Sequence, residues 1–261
     1  MRIILIFIKA FACQIPSFRQ AATIIYLVCI STSDCLLSLQ DSFQKLAKEA
    51  IKLVKGVKVI GLGSGSTVGF IVREMAKLPE RESIEFIPTS LQIKLEAEKS
   101  SLRMADENRI PYTDIVFDGA DQIDSEFNMI KGGGGALLRE KILISAAKKV
   151  VIVADAAKFV QSFSRSVPIE VHSMARSVVL KKLVEMGGQP VLRTLYKGYP
   201  LVTENGNLIL DTFFPSVTDP KKMEVELKNI AGVLEVGFFT RRADIYYKAK
   251  NDGSFETISF Q

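Results

Sequence analysis

The sequence predicts an α/β protein in which a Rossmann-like, doubly wound parallel sheet is followed by a smaller ferredoxin-like α+β unit. Between residues 41 and 166, apolar helical stretches alternate with short β-branched runs and glycine loops, the order of a parallel sheet with crossover helices. After Val167 the rhythm changes to β-α-β-β-α-β, the split order of a ferredoxin-like unit. Val150-Val151-Ile152-Val153 has the length and branching of a central strand buried on both faces.

Phe43, Leu46, Ala47, Ala50, Ile51 and Val54 recur at helical spacing, so the first helix is expected from Asp41. Val57 to Ile60 then reads as a strand, Thr67 to Leu78 as a helix, Ile84 to Ile87 as a strand and Leu91 to Lys99 as a helix. Ile115 to Phe117 is a strand ending on an acid, and Gly135 to Lys148 is a helix leading into Val150. In the second half Ile169 to Val171, Pro190 to Arg193, Leu208 to Phe213 and Val233 to Phe239 read as strands. Ser177 to Met186 and Pro220 to Ile230 read as helices. Asp244 to Lys250 and Ser254 to Phe260 flank Asn251-Asp252-Gly253, a hairpin turn. The expected division is residues 41–166 for the Rossmann-like domain, 167–240 for the ferredoxin-like domain and 241–261 for a hairpin that returns to the first.

The 261 residues are 48% hydrophobic and 24% charged, which excludes a disordered or collagen-like chain. Arg2, Lys9, Arg19 and Asp34 are the only charges in residues 1–40, so +2 of the net +5 lies there and +3 on the remainder. That small excess does not suit a nucleic-acid-binding protein, but it suits a small anionic substrate. Cys13, Cys29 and Cys35 all precede residue 41, leaving the rest without a disulfide or a thiolate metal site. The single histidine, His172, lies in the second unit and reads as structural or surface, and no metal-ligand spacing occurs. Catalysis should rest on carboxylates and lysines.

Residues 1–40 stand apart as an apolar extension. The runs Ile3 to Ile8 and Ala21 to Ile30 are interrupted by Lys9, Pro16 and Arg19, and neither is long enough to span a membrane. A secretory signal, an organelle-import segment and a misassigned start are the three readings, which leave the compartment open.

Three loops are candidates for chemistry. Gly61-Leu62-Gly63-Ser64-Gly65-Ser66-Thr67 joins a strand to a helix; backbone amides, hydroxyls and the helix N-terminus together suit a phosphate, and an ordinary strand-to-helix turn is the alternative. Asp118-Gly119-Ala120-Asp121 follows a parallel strand, where open α/β sheets bind ligands; a turn rich in side-chain-to-backbone bonds is its alternative. Lys131-Gly132-Gly133-Gly134-Gly135 precedes a helix bearing Glu140, and a run of four glycines usually means close ligand approach. One cation and one carboxylate can converge there, though Glu140 also fits a surface acid favoured by the helix dipole. Lys158, after Ala154-Asp155, is able to reach the same sheet edge or to remain solvated.

In this order the three loops resemble the type A ribose-5-phosphate isomerase family, whose GxGxGST, DGAD and KGGG…RE motifs stand here as Gly61 to Thr67, Asp118 to Asp121 and Lys131 to Glu140. The resemblance runs from about residue 41 to the C-terminus through Met174-Ala175-Arg176-Ser177, Glu204-Asn205-Gly206-Asn207 and Gly232 to Gly237. It implies interconversion of ribose 5-phosphate and ribulose 5-phosphate, without cofactor or metal, in the non-oxidative pentose phosphate pathway. It also implies that Glu140 is the general base, assisted by Asp118, Asp121 and Lys131 through a cis-enediolate. Ser64, Gly65, Ser66, Thr67, Asp118, Gly119, Ala120, Asp121, Lys131, Gly132, Gly133, Gly134 and Lys158 would bind substrate, the first loop holding the phosphate. A homodimer or larger assembly is implied as well; a cytoplasmic or plastid location is expected, with the ambiguous residues 1–40 leaving the choice open. Gln122 stands where the family usually has an acid, Ser101 where it has glycine and Ser173 where it has proline. Displacement of the helix around Lys45 by residues 1–40 would weaken the phosphate pocket.

Two rival functions remain. A nicotinamide-dependent dehydrogenase needs an acid at the end of the second strand, but that strand ends Ile87-Pro88-Thr89-Ser90. A non-catalytic sugar-phosphate sensor on the same scaffold would not need Glu140.

Overall fold

The structure, a computed structural model, describes residues 38–106 and 112–260; apart from 38–40, the N-terminal extension lies outside the described residues. Helix α1 (38–50) continues as a 3-10 turn to Val54 and buries Phe43, Leu46, Ala47, Ala50 and Val54 along one face. Strand β1 (Val59–Leu62) is buried throughout and leads into α2 (Ser66–Met75), β2 (Glu85–Pro88) and α3 (Leu91–Lys99). Next come β3 (Thr113–Asp118), the short β4 (Gln122–Ile123) and β5 (Met129–Ile130), then α4 (Leu137–Ala146) and β6 (Ala147–Asp155).

The second unit consists of β7 (Val167–Val171), α5 (Arg176–Glu185), β8 (Gln189–Leu192), β9 (Leu208–Phe213), α6 (Pro220–Lys228) and β10 (Val233–Val236). Its antiparallel sheet has the order β10-β7-β9-β8, as a ferredoxin-like unit requires. The chain then forms β11 (Phe238–Phe239), β12 (Ile245–Ala249) and β13 (Phe255–Ser259). Strand β12 runs parallel to β6, and β13 closes the six-stranded sheet as an antiparallel edge in the order β13-β12-β6-β3-β1-β2. The connecting turn packs on α1, where Lys45 Nζ donates to the Gly253 carbonyl at 2.8 Å and the Ser42 hydroxyl to that of Lys250.

Both faces of the large sheet are covered, which explains the unbroken apolar run in β6. Val151 and Val153 pack among α1, α2 and α3, whereas Val150, Ile152 and Ala154 pack against α4 on the other face. The chain builds β2 on one side of β1, then crosses to build β3 on the other. Connections leaving the carboxyl ends of β1 and β3 therefore diverge, opening a crevice at this topological switch point.

Three expectations need correction. The first strand lies two residues later than its apolar run suggests, because Gly61 is inside β1; a Cβ there would sit 2.7 Å from Val116 Cγ2, so this glycine serves close packing. The helix expected to reach Lys148 ends at Ala146, and β6 begins with Ala147 without a loop. The single strand expected over 233–239 is broken at Gly237, with β10 in the four-stranded sheet and β11 pairing with β5 in a three-stranded one. A Cβ at Gly237 would lie 2.6 Å from the Lys131 carbonyl oxygen and 2.9 Å from that of Pro168, so only glycine passes between these strands. Among the described residues no helix is long and apolar enough to cross a membrane.

Candidate active site

The crevice contains a cavity of about 140 Å³ lined by residues 64–67, 119–121 and 131–134 with Glu140 and Lys158. All three loops singled out in the sequence thus meet at one place. The first extends β1: the Gly63 amide donates to the Phe117 carbonyl at 2.8 Å. A Cβ at position 63 would lie 1.9 Å from Asp118 Oδ1, so glycine is needed for β1 and β3 to end side by side with Asp118 between them. Gly65, at φ +101°, turns the chain into α2, whose N-terminus with Ser66 and Thr67 forms one wall. The Ser64 hydroxyl pairs with that of Thr89 at 2.9 Å, and the Gly65 amide donates to Gln92 Oε1 at 3.1 Å.

Asp118, Lys131 and Glu140 form the charged floor, with exposures of 0%, 2% and 4%. Lys131 Nζ lies 2.9 Å from Asp118 Oδ2 and 3.2 Å from Glu140 Oε2, and it donates to the Gly119 carbonyl at 2.6 Å. The two carboxylate contacts are Coulombic more than directional, since neither oxygen receives an aligned hydrogen bond. Asp118 Oδ1 accepts from the Gly119 amide at 2.7 Å. Asp118 does not line the cavity; it lies behind Lys131 and acts on the pocket through that ammonium.

Burial dominates the electrostatics of this floor. It raises the Glu140 carboxyl to about 7, reinforced by the neighbouring Asp118 charge and opposed by Lys131. Burial also raises Asp118, against the pull of Lys131 and of the Gly119 and Ser64 amides. For Lys131 burial works toward the neutral amine, but Asp118 and Glu140 outweigh it and hold the ammonium above its ordinary range. The two carboxylates share one cation, so they titrate as a pair.

The remaining predicted residues complete the walls. Asp121 Oδ2 accepts from the Gly133 amide at 2.7 Å, tying the acidic loop to the glycine loop. Lys158 ends a short 3-10 turn after β6, with its Nζ 3.8 Å from Asp155 Oδ2. Gln122 faces away, its Oε1 accepting from the Ser164 and Arg165 amides and its Nε2 donating to the Ser164 hydroxyl at 2.8 Å. The exchange of an acid for an amide there removes no group from the cavity wall. Lys45 is not on that wall either, and exposed His172 only caps the 3-10 turn Ser173–Ala175. Among the described residues no cluster of His, Cys, Asp or Glu is arranged to hold a metal ion.

Several supporting residues escaped the sequence reading. Arg193, beyond β8, donates to the Gly132 and Gly133 carbonyls at 2.8 and 3.0 Å while pairing with Asp211. Asn205 Oδ1 accepts from Arg139 Nε at 3.0 Å, immediately before Glu140, and Asn205 Nδ2 in turn donates to buried Glu170 at 3.0 Å. In the sequence the run Glu204 to Asn207 stands out only as part of the family resemblance, and nothing local links it to a helix more than sixty residues earlier.

The family model for ribose 5-phosphate isomerase A (phosphoriboisomerase A) matches residues 85–253. The ribose-5-phosphate isomerase A of Methanosarcina acetivorans is 38% identical over 226 residues, covering 85% of this chain and 96% of that protein. The ribose-5-phosphate isomerase of Schizosaccharomyces pombe is 41% identical over 204 residues, 76% of this chain and 74% of the yeast protein. The solved ribose 5-phosphate isomerase A of Methanocaldococcus jannaschii superimposes with a TM-score of 0.79 at 37% identity, covering 85% of this chain and 99% of that one. A D-ribose-5-phosphate isomerase solved in complex with phospho-erythronic acid gives the same TM-score at 34% identity, with coverage of 84% and 97%. With three motif loops converging at one switch point and relatives matched over most of their length, the chain belongs to the ribose 5-phosphate isomerase A family.

Proposed function

We propose that this chain interconverts D-ribose 5-phosphate and D-ribulose 5-phosphate, with Glu140 as the base that moves the proton between C2 and C1. The observation that carries the reading is Glu140 on the cavity wall, buried and 3.2 Å from Lys131, with its carboxyl pushed up to about 7. Such a group can take a proton in one half-reaction and return it in the other.

In this reading the hydroxyls of Ser64, Ser66 and Thr67 and the amides at the start of α2 hold the phosphate, with Lys158 adding charge. Asp121 and Lys131 assist ring opening, with Asp118 acting through the Lys131 ammonium. Glu140 then takes the C2 proton of the open-chain aldose, and the electron pair moves through C1–C2 onto O1. The charge of the cis-enediolate is met by Lys131 and the glycine-loop amides. The O2 proton passes to O1, Glu140 returns its proton to C1, and the ketose results. General base catalysis contributes about 10²–10⁴-fold, leaving the rest to orientation and oxyanion stabilisation. An acid that combines phosphate with carboxylate, like the one bound in the solved relative, matches both ends of this site.

The catalytic unit in this reading is 41–166 with the hairpin 241–261, and 167–240 forms the supporting unit. The enzyme acts as a homodimer or larger assembly, supported by the exposed apolar side chains of Met174, Val178, Val184, Val191, Tyr196 and Tyr199 on that unit. It works in the cytoplasm or, if residues 1–40 direct import, in a plastid. The test is turnover of ribose 5-phosphate by the full chain and by Glu140→Gln, without added cofactor or metal. Turnover in the parent, lost in a folded variant, supports the reading; sugar-phosphate binding without turnover in the parent favours a sensor.

A further inference from the structure

We propose that Arg193 is a positioning residue that sets the direction of the glycine-loop peptides from outside the cavity, an inference that rests on the isomerase reading for its consequence. Arg193 follows β8 in the second unit and does not line the cavity. Two arms of its guanidinium are fixed by Asp211 on β9, with Nε at 2.8 Å from Oδ2 and Nη2 at 2.5 Å from Oδ1. The third, Nη1, donates to the carbonyls of both Gly132 and Gly133. A planar fork with five donors can make these bonds together, and a lysine ammonium cannot.

The consequence follows from peptide geometry. In a trans peptide the C=O and N–H point in opposite directions, and the described residues contain no cis bond. Holding the Gly132 carbonyl toward Arg193 therefore turns the Gly133 N–H the other way, where it meets Asp121 Oδ2 at 2.7 Å. By the same geometry the Gly133 carbonyl turns the Gly134 N–H away from Arg193. Gly134 lines the cavity, and its amide donates to no group of the described residues, so it is available to a ligand oxygen. A run of glycines has no side chains to fix its own peptide planes and gains most from an external clamp. The amide so aimed is a donor for oxygen charge that develops during proton transfer.

The experiment compares the full-length parent with Arg193→Met and Arg193→Lys. It measures kcat and KM for ribose 5-phosphate, calorimetric affinity for phospho-erythronic acid and for inorganic phosphate, and the urea unfolding midpoint. Folded Arg193→Met is expected to lose about 10–100-fold in kcat and a similar factor in phospho-erythronic acid affinity, with inorganic phosphate affinity unchanged. Arg193→Lys should show the same split, and it carries the test if Arg193→Met does not fold. Guanidinium at millimolar concentration should restore part of the kcat of Arg193→Gly. Parent-level kcat in a folded variant overturns the assignment, as does equal loss of both affinities alongside a lowered unfolding midpoint. If the parent itself shows no turnover but the two affinities still split, the isomerase reading fails while the positioning role of Arg193 stands.

Discussion

Replacing Glu140 by glutamine should abolish turnover and at the same time stabilise the protein, by an amount that depends on pH. The carboxyl is raised from its ordinary 4.5 to about 7 because burial disfavours its ionised form. A group whose folded-state value is raised binds its proton more tightly in the native state. Its stabilising effect is complete below about 4.5 and is lost as pH rises through about 7. Folding with this carboxylate ionised therefore costs about 3 kcal/mol at pH 8, a cost that glutamine does not carry. That cost is already net of the attraction to Lys131, and in the variant Asp118 still faces the ammonium at 2.9 Å. Urea unfolding of parent and variant at pH 5 and pH 8, followed by circular dichroism, isolates the effect, because pH-dependent terms elsewhere cancel in the difference. The variant should be about 1–3 kcal/mol more stable at pH 8 and nearly equal to the parent at pH 5. A variant less stable at pH 8, or a difference that does not change with pH, would refute the burial argument.

The same carboxyl predicts a pH–rate profile in which kcat/KM falls about tenfold per unit below about 7, as Glu140 becomes protonated; a flat profile down to pH 5.5 would contradict its role as base. Gly63→Ala places a methyl 1.9 Å from Asp118 Oδ1 and should cost about 1–3 kcal/mol with a large loss of kcat, measured by unfolding and initial rates. Gly134→Ala, with open space around its Cβ, should keep the parent's unfolding midpoint. Ser101, at φ +53° just beyond α3, occupies a left-handed position that glycine adopts freely; Ser101→Gly should add about 0.5–1 kcal/mol by urea unfolding. Turnover should survive excess EDTA, and loss of activity restored by a divalent ion would argue for a metal step.

Sequence periodicity revealed the elements stabilised by their own residues. Helix α3 has the limits expected from the sequence: Ser90 caps its start, the hydroxyl accepting from the Ile93 amide at 3.4 Å, and Ile93 and Ala97, four apart, are its buried positions. Strands β4 and β5 could not be read this way, since two residues each carry no period, and β5 pairs with β11, more than a hundred residues later. Glycine misled in two places, in opposite senses. The apolar run ends a strand before Gly61, although the strand runs through it, and the expected strand continues through Gly237, although it breaks there; at both, another chain segment passes too close for a Cβ. The loops of the site were legible because clustered glycines, hydroxyls and acids at strand ends have few other uses. Arg193 was not, because its partners become neighbours only when the second sheet docks on the glycine loop.

The charge arrangement explains how a site without histidine can move protons near neutrality. Asp118 and Glu140 face a single ammonium, so the cluster has one excess negative charge when both carboxyls are ionised. In a floor almost closed to water that excess is unfavourable, and retaining one proton removes it. An exposed glutamate is fully ionised at pH 7 and returns a proton to carbon slowly because it rarely holds one. Glu140, raised to about 7, spends comparable time in both forms, which an imidazole achieves without any rearrangement of its surroundings. If the second carboxylate is what holds Glu140 in this range, Asp118→Asn should lower the acidic limb of the pH–rate profile while reducing kcat. A limb that stays near 7 in that variant would leave burial alone as the cause.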